Sequence, residues 1–138
     1  MGKLTRRESR EIAFKMIFEK SFKMDEDTCD VYIEYLDNNS LEGSDYIRTV
    51  FLGVFDNLDE IDSLISNASI RRKNERISRV TMAILRLAIY EMKYFDDVPV
   101  NIAINEAVEL AKKYEDDDVP GYVNGVLGSV SRNSADQQ

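Results

Sequence analysis

Residues 5–23, TRRESREIAFKMIFEKSFK, cannot be laid on a helix with one narrow dry stripe. At about 100° per residue, Ile12, Met16, Ala13 and Ile17 spread over about 140°, and Phe14, Phe18 and Phe22 continue at about 200°, 240° and 280°. A surface helix of a globular protein has an apolar stripe a little over about 100° wide. This helix is apolar over far more. Other helices must cover it on several sides, or part of its phenylalanine ladder faces a ligand. Thr5 and Glu8 supply a T-x-x-E capping box for its start.

The rest of the chain repeats the helical period. The first helix is predicted to reach about Lys23, and a second covers about 27–38 and stops at "DNNS". Ser44 caps a third to about Asp56. A fourth over about 58–68 carries Leu58, Ile61, Ile65 and Ala68 at helical spacing. After the basic link "SIRRKNER", a fifth over about 78–95 lines up Val80, Ala83, Ile84, Leu87, Ala88 and Met92. "DDVP" ends it, because the residue before proline disfavours the helical region. A sixth covers about 100–114. Pro120 sits in the first turn of a seventh, about 120–131, and "RNSADQQ" is predicted to fray as a disordered tail over about 132–138. No strand pattern survives, so the fold class is all-α, with residues 1–138 forming one domain. Ala103, Ala107 and Ala111, and Gly121, Gly125 and Gly128, recur where helices would approach most closely, and read as tight core packing.

Composition removes whole classes of chemistry. The 138 residues contain no histidine and one cysteine, Cys29. Histidine-dependent triads, histidine-ligated zinc, cysteine-cluster metal sites and internal disulfides are therefore excluded. No glycine-rich phosphate loop occurs, and no cofactor or catalytic residue is expected. No apolar run is long enough to span a membrane, and the basic N-terminus is not followed by a signal-type apolar segment. The expectation is a cytoplasmic protein with no membrane partner.

Charge is divided unevenly. Residues 1–23 hold seven Lys and Arg against three Asp and Glu, a balance of +4, whereas residues 24–138 hold eleven against twenty-three, a balance of −12. On the helical wheel Lys3, Arg10 and Arg7 fall at about 180°, 160° and 220°, on the phenylalanine side. Cations beside aromatic rings suit single-stranded nucleic acid, in which phosphates meet the charges and bases stack on the rings. They equally suit a solvated helix end over a core. Phe14 and Phe22 read as core; Phe18 is open to either role.

Several runs carry a resemblance. "RRESREIAFKMIFEKSF", "ISRVTMAILRLAIYEMKY" and "DVPVNIAINEAVELAKKY" followed by "GYVNGVLGSV" resemble, in order, the opening, the fifth helix and the C-terminal signature of the NusB transcription antitermination factors. The resemblance implies a seven-helix fold of two packed three-helix sub-bundles plus an extra helix. It implies a non-catalytic factor that pairs with the ribosomal protein NusE, binds the boxA element of nascent RNA and joins the RNA polymerase antitermination complex. Carried over by position, Arg6, Arg7, Arg10 and Phe18 fall on the RNA side, which Lys3 joins from the wheel, and Tyr122 and Asn124 open the helix that borders it. Asp118 lies just before that helix, where a carboxylate would repel a phosphate path or cap the helix. Glu75, Arg76 and Arg79 fall on the partner side.

Two other readings follow from the same residues. One is a helical interaction module, or a homodimer that covers the arginine-rich face with no direct RNA role. The other is a stand-alone relative of the NusB-like domain of RNA cytosine methyltransferases.

Overall fold

In a computed structural model, described over residues 3–69 and 77–136, the chain forms seven helices and, among those residues, no strand. Local chemistry sets the starts. Thr5 Oγ1 accepts the Glu8 N–H at 3.0 Å while Glu8 Oε1 accepts the Thr5 N–H at 2.8 Å, so a complete capping box opens α1 (Arg6–Lys20). Asp27, Ser44 and Ser78 open α2 (Thr28–Asn38), α3 (Asp45–Asp56) and α5 (Arg79–Tyr94), accepting the N–H groups of Asp30, Ile47 and Thr81. Helix α4 (Leu58–Ser69) follows α3 almost directly, and α6 (Val100–Tyr114) follows Pro99. Helix α7 (Val119–Asp136) carries Pro120 in its first turn and stays helical beyond the predicted end near residue 131, into the segment expected to fray.

Helices α1, α2 and α3 pack on one another, as do α5, α6 and α7. Helix α5 also lies against α1 and α3, and α4 rests on α7 and α5. These are the two sub-bundles and the extra helix. Because α5 belongs to both contacts, it is buried on more than its predicted side: Leu85 and Ile89 are as enclosed as Ile84 and Leu87. Helix α3 crosses α5 at Gly53, where a Cβ would run into the ring of Tyr90. Ala103, Ala107 and Ala111 are buried, as the small-residue reading of α6 requires. Gly121 differs: a Cβ there would meet nothing within 4 Å, since the first turn of α7 is exposed at that position.

Helix α1 is covered as its wheel demands, with Ala13, Phe14, Met16 and Ile17 in the core. It ends three residues before the predicted Lys23, and Lys20 is the reason. The Lys20 side chain is buried, 3% exposed, and its Nζ donates to the carbonyl oxygens of Lys23, Met24 and Glu26 at 2.9, 3.2 and 2.7 Å. An enclosed ammonium must fill its three donors, and here it does so by folding the following loop back over the helix end. Phe22, predicted as core, is thrown outward by that turn and is 59% exposed.

Candidate nucleic-acid interface

The basic residues at the start of α1 divide into three environments. Lys3 is exposed at the chain's entry to the helix. Arg6 is exposed, with its Cζ 4.4 Å from the ring centre of Tyr46 and 5.4 Å from that of Phe95, so two aromatic faces seat the cation. Arg7 points its fork at α6: Nε and Nη2 donate to Glu106 Oε1 and Oε2 at 3.1 and 2.9 Å, while its side chain stays 73% exposed. The hydrogen bonds to Glu106, then the Glu106 charge, hold the Arg7 guanidinium above its ordinary value.

Arg10 departs from the expectation that it faces phosphate. It is 4% exposed, and its Nε and Nη2 donate to Glu91 Oε1 and Oε2, both at 2.9 Å, while Nη1 donates to Glu106 at 3.1 Å. Burial works against the charge, but the Glu91 hydrogen bonds and charge outweigh it and the guanidinium rises above its ordinary value. Glu91 is itself 1% exposed. A carboxylate so enclosed needs a cation and Arg10 is that cation, so its charge is consumed inside the fold. Tyr46 lies over this pair. Burial first, and the Glu91 charge second, push its hydroxyl far above the usual tyrosine value. Glu106 thus ties a buried arginine to an exposed one and fixes where Arg7 stands.

A groove of about 420 Å³ lies between α1 and α6, spanned by their side chains. Its walls alternate in sign: Lys113 donates to Glu11 at 2.6 Å, Lys112 to Glu109 at 3.3 Å, and the Tyr114 hydroxyl also donates to Glu11. Such an alternation attracts no particular charge along the groove.

A second cluster sits at the other end of α1. Twelve residues separate Arg6 from Phe18, about 18 Å of helix at about 1.5 Å per residue. Phe18 is half-buried and meets Phe22 edge-on, with ring centres 5.1 Å apart. Arg79 at the start of α5 covers Phe22, its Cζ 4.6 Å from the ring centre, and donates Nη1 to the Ser21 carbonyl at 2.7 Å. Glu115, at the end of α6, accepts from Ser78 at 3.0 Å and from Thr81 at 2.6 Å. Beyond it, Asp118 is exposed, and its carboxylate makes no hydrogen bond among the described residues; its backbone carbonyl accepts the Tyr122 N–H at 3.5 Å. The Tyr122 hydroxyl lies 3.1 Å from Ser69 Oγ, and Asn124, two residues further along α7, is exposed.

The residues expected on the RNA side are therefore two patches at the two ends of α1, with Arg10 buried between them. Of the partner-side residues, Glu75 and Arg76 lie outside the described residues, and Arg79 is exposed beside Phe22. Sequence reasoning missed Glu91, Glu106 and the exposure of Phe22. Glu91 carried a signal: it stands one turn after Leu87 on the core face of α5, where a carboxylate implies a buried cation.

A family model described as the NusB family matches residues 7–132. Among curated proteins, the transcription antitermination protein NusB of Acetivibrio thermocellus is 47% identical over 127 residues, covering 91% of this chain and 87% of that protein. The NusB of Clostridium acetobutylicum is 38% identical, covering 97% of this chain and 100% of that protein. Among solved structures, T. maritima NusB superposes with a TM-score of 0.80 at 34% identity, covering 95% of this chain and 93% of that one. A structure of antitermination factors NusB and NusE with double-stranded RNA shares the fold, with a TM-score of 0.78 at 24% identity over 93% of this chain and 96% of that one.

Proposed function

The chain belongs to the NusB family, and from that premise we propose that it is a non-catalytic transcription antitermination factor that binds boxA RNA jointly with NusE. The single observation that carries the RNA side of this reading is the exposed basic mouth of α1. Lys3, Arg6 and Arg7 stand outside the fold, while the body of the protein carries a balance of −12. Phosphates are drawn to that mouth and repelled elsewhere, which keeps non-specific binding weak and leaves affinity to a surface shared with the partner. Lys3, Arg6 and Arg7 take phosphates, Phe18 takes a base, and Tyr122 and Asn124 border the path at its far end. Arg10 supports this edge from inside, through Glu106, and makes no phosphate contact. Glu75 and Arg76 face NusE, and Arg79 stands on that side where it borders the RNA path. The RNA-bound pair is the form that joins the RNA polymerase antitermination complex.

The test is a fluorescence anisotropy titration of labelled boxA RNA and a scrambled RNA with the chain alone, NusE alone and the two together. Tight binding of boxA by the pair, with weaker binding by either protein and by the scramble, is the expected result. Equal affinity for boxA and scramble, or no gain from NusE, would refute the reading and leave a helical interaction module. A homodimer that covers the arginine-rich face would show instead as a two-chain mass in solution that dissociates on Arg6→Ala or Arg7→Ala.

A further inference from the structure

We propose that Phe22 and Arg79 form a second stacking platform for an unpaired RNA base, adjoining the position of Phe18. The inference rests on the reading of the chain as an RNA-binding factor and adds a contact at the C-terminal end of α1.

A solitary exposed phenylalanine needs no explanation. Phe22 is not solitary. One face is covered by the Arg79 guanidinium, 4.6 Å from the ring centre, and the Phe18 ring packs against it in a T-shaped pair at an interplanar angle of 83°. Arg79 is itself fixed, because its Nη1 is spent on the Ser21 carbonyl at 2.7 Å. The backbone beneath is fixed too, since the buried Lys20 ammonium gathers the loop carbonyls of residues 23, 24 and 26. The ring is thus held by the guanidinium on one face and by the Phe18 ring, and remains 59% exposed. A flat apolar face held in place and left in water is what a nucleobase covers, with little side-chain ordering left to oppose binding.

Charge agrees with this ligand. Arg79 is exposed and is the first residue of α5, so a phosphate beside it meets both a guanidinium with N–H donors left over among the described residues and the positive end of a helix dipole. Three carboxylates of this region are engaged: Glu115 by the hydroxyls of Ser78 and Thr81, and Glu19 and Glu34 each 3.8 Å from Lys23 Nζ. A base on Phe22 and its phosphate at Arg79 would extend the path from the Phe18 ring by one ring.

The chain has no tryptophan, so Phe22→Trp introduces its one indole, at the proposed platform. With NusE present and the signal of wild-type chain plus NusE subtracted, boxA RNA is expected to quench this indole, with a midpoint matching that from anisotropy. Phe22→Ala is expected to weaken boxA binding by about 5- to 150-fold, the worth of one stacked base. Arg79→Lys keeps the charge but loses the planar cover and is expected to weaken binding by less. Single abasic substitutions along the RNA should reveal one position at which Phe22→Ala causes no further loss. Wild-type affinity in Phe22→Ala, or an equal loss with every abasic RNA, overturns the platform while leaving the proposed function intact. Loss of NusE binding by Phe22→Ala without RNA makes the ring a protein contact and also overturns it. If the wild-type pair binds no boxA RNA, the platform and the functional reading fail together.

Discussion

Arg10 and Glu91 face each other across the α1–α5 contact through two parallel hydrogen bonds of 2.9 Å, with both side chains almost wholly enclosed. Removing one member of such a pair leaves a bare charge in the interior, at a cost of about 3–5 kcal/mol. Arg10→Ala should therefore lower the urea midpoint severely, whereas the double variant Arg10→Met, Glu91→Leu should recover most of the loss, because apolar replacements of similar volume are tolerated at buried pairs. Urea melts of the two variants and the wild type decide it. A double variant no better than Arg10→Ala would mean that the pair is not what holds this contact.

The same geometry separates the arginines as RNA ligands. An arginine that neutralises one phosphate of a single strand should flatten the dependence of log affinity on log salt by about 0.7 when removed. Arg6→Ala and Arg7→Ala are expected to do so, with stability changed little, since both side chains are exposed. The Arg10→Met, Glu91→Leu double variant is expected to keep the wild-type slope. Salt titrations of boxA binding with NusE present check all three. A slope lowered only in the double variant would reverse the assignment.

How far the sequence could be read follows from where each residue's environment is decided. Helix starts at Thr5, Ser44 and Ser78 are set by hydrogen bonds three residues away, and all were legible as local patterns. The wheel of α1 also placed Arg10 at about 160°, close to Ile17 at about 140°, so its burial was present in the period. Reading it as one of a charged cluster hid this, because charge alone does not say which cation has a buried carboxylate waiting. Glu91 is 81 residues away, and only the fold brings it there. Phe22 failed for a different reason. Its helical register assumes that α1 continues, and the helix stops because the Lys20 ammonium takes its partners from the next loop. The family's order of helices was legible throughout, whereas the split of the basic edge into one buried and two exposed arginines was not.

Glu11 provides a pH readout of the α1–α6 contact. The hydrogen bond from Lys113, then that from Tyr114, holds its carboxyl below the usual value of 4.5. A group depressed in the folded state contributes its stability above the unfolded value and loses it as pH falls through the folded one. The difference in Tm between wild type and Glu11→Gln should therefore be constant from about pH 6 to 8 and shrink toward zero as pH falls below about 4. The plateau difference should be small, because Lys113 is 60% exposed and water screens the pair. Thermal melts across this range check it; a difference that persists undiminished into acid would show that the Glu11 carboxylate is not the group being titrated.

Asp118 yields the last prediction. Its exposed carboxylate makes no hydrogen bond among the described residues, so the capping role open to it in the sequence is not carried by its side chain. What remains is its charge, one turn before Tyr122 at the edge of the proposed RNA path. Repulsion between that charge and a phosphate several ångströms away through solvent amounts to roughly 0.5–1 kcal/mol. Asp118→Asn removes the charge while keeping the shape, and since no side-chain cap is lost, the melting temperature should stay close to wild type. BoxA affinity with NusE present should rise by about two- to five-fold, following that energy. The gain should shrink as salt is raised, because screening already suppresses the repulsion being relieved. Parallel titrations at low and high salt measure both effects. An affinity unchanged or lowered at low salt would place Asp118 away from the RNA, and a gain that persists at high salt would require a direct contact by the new amide.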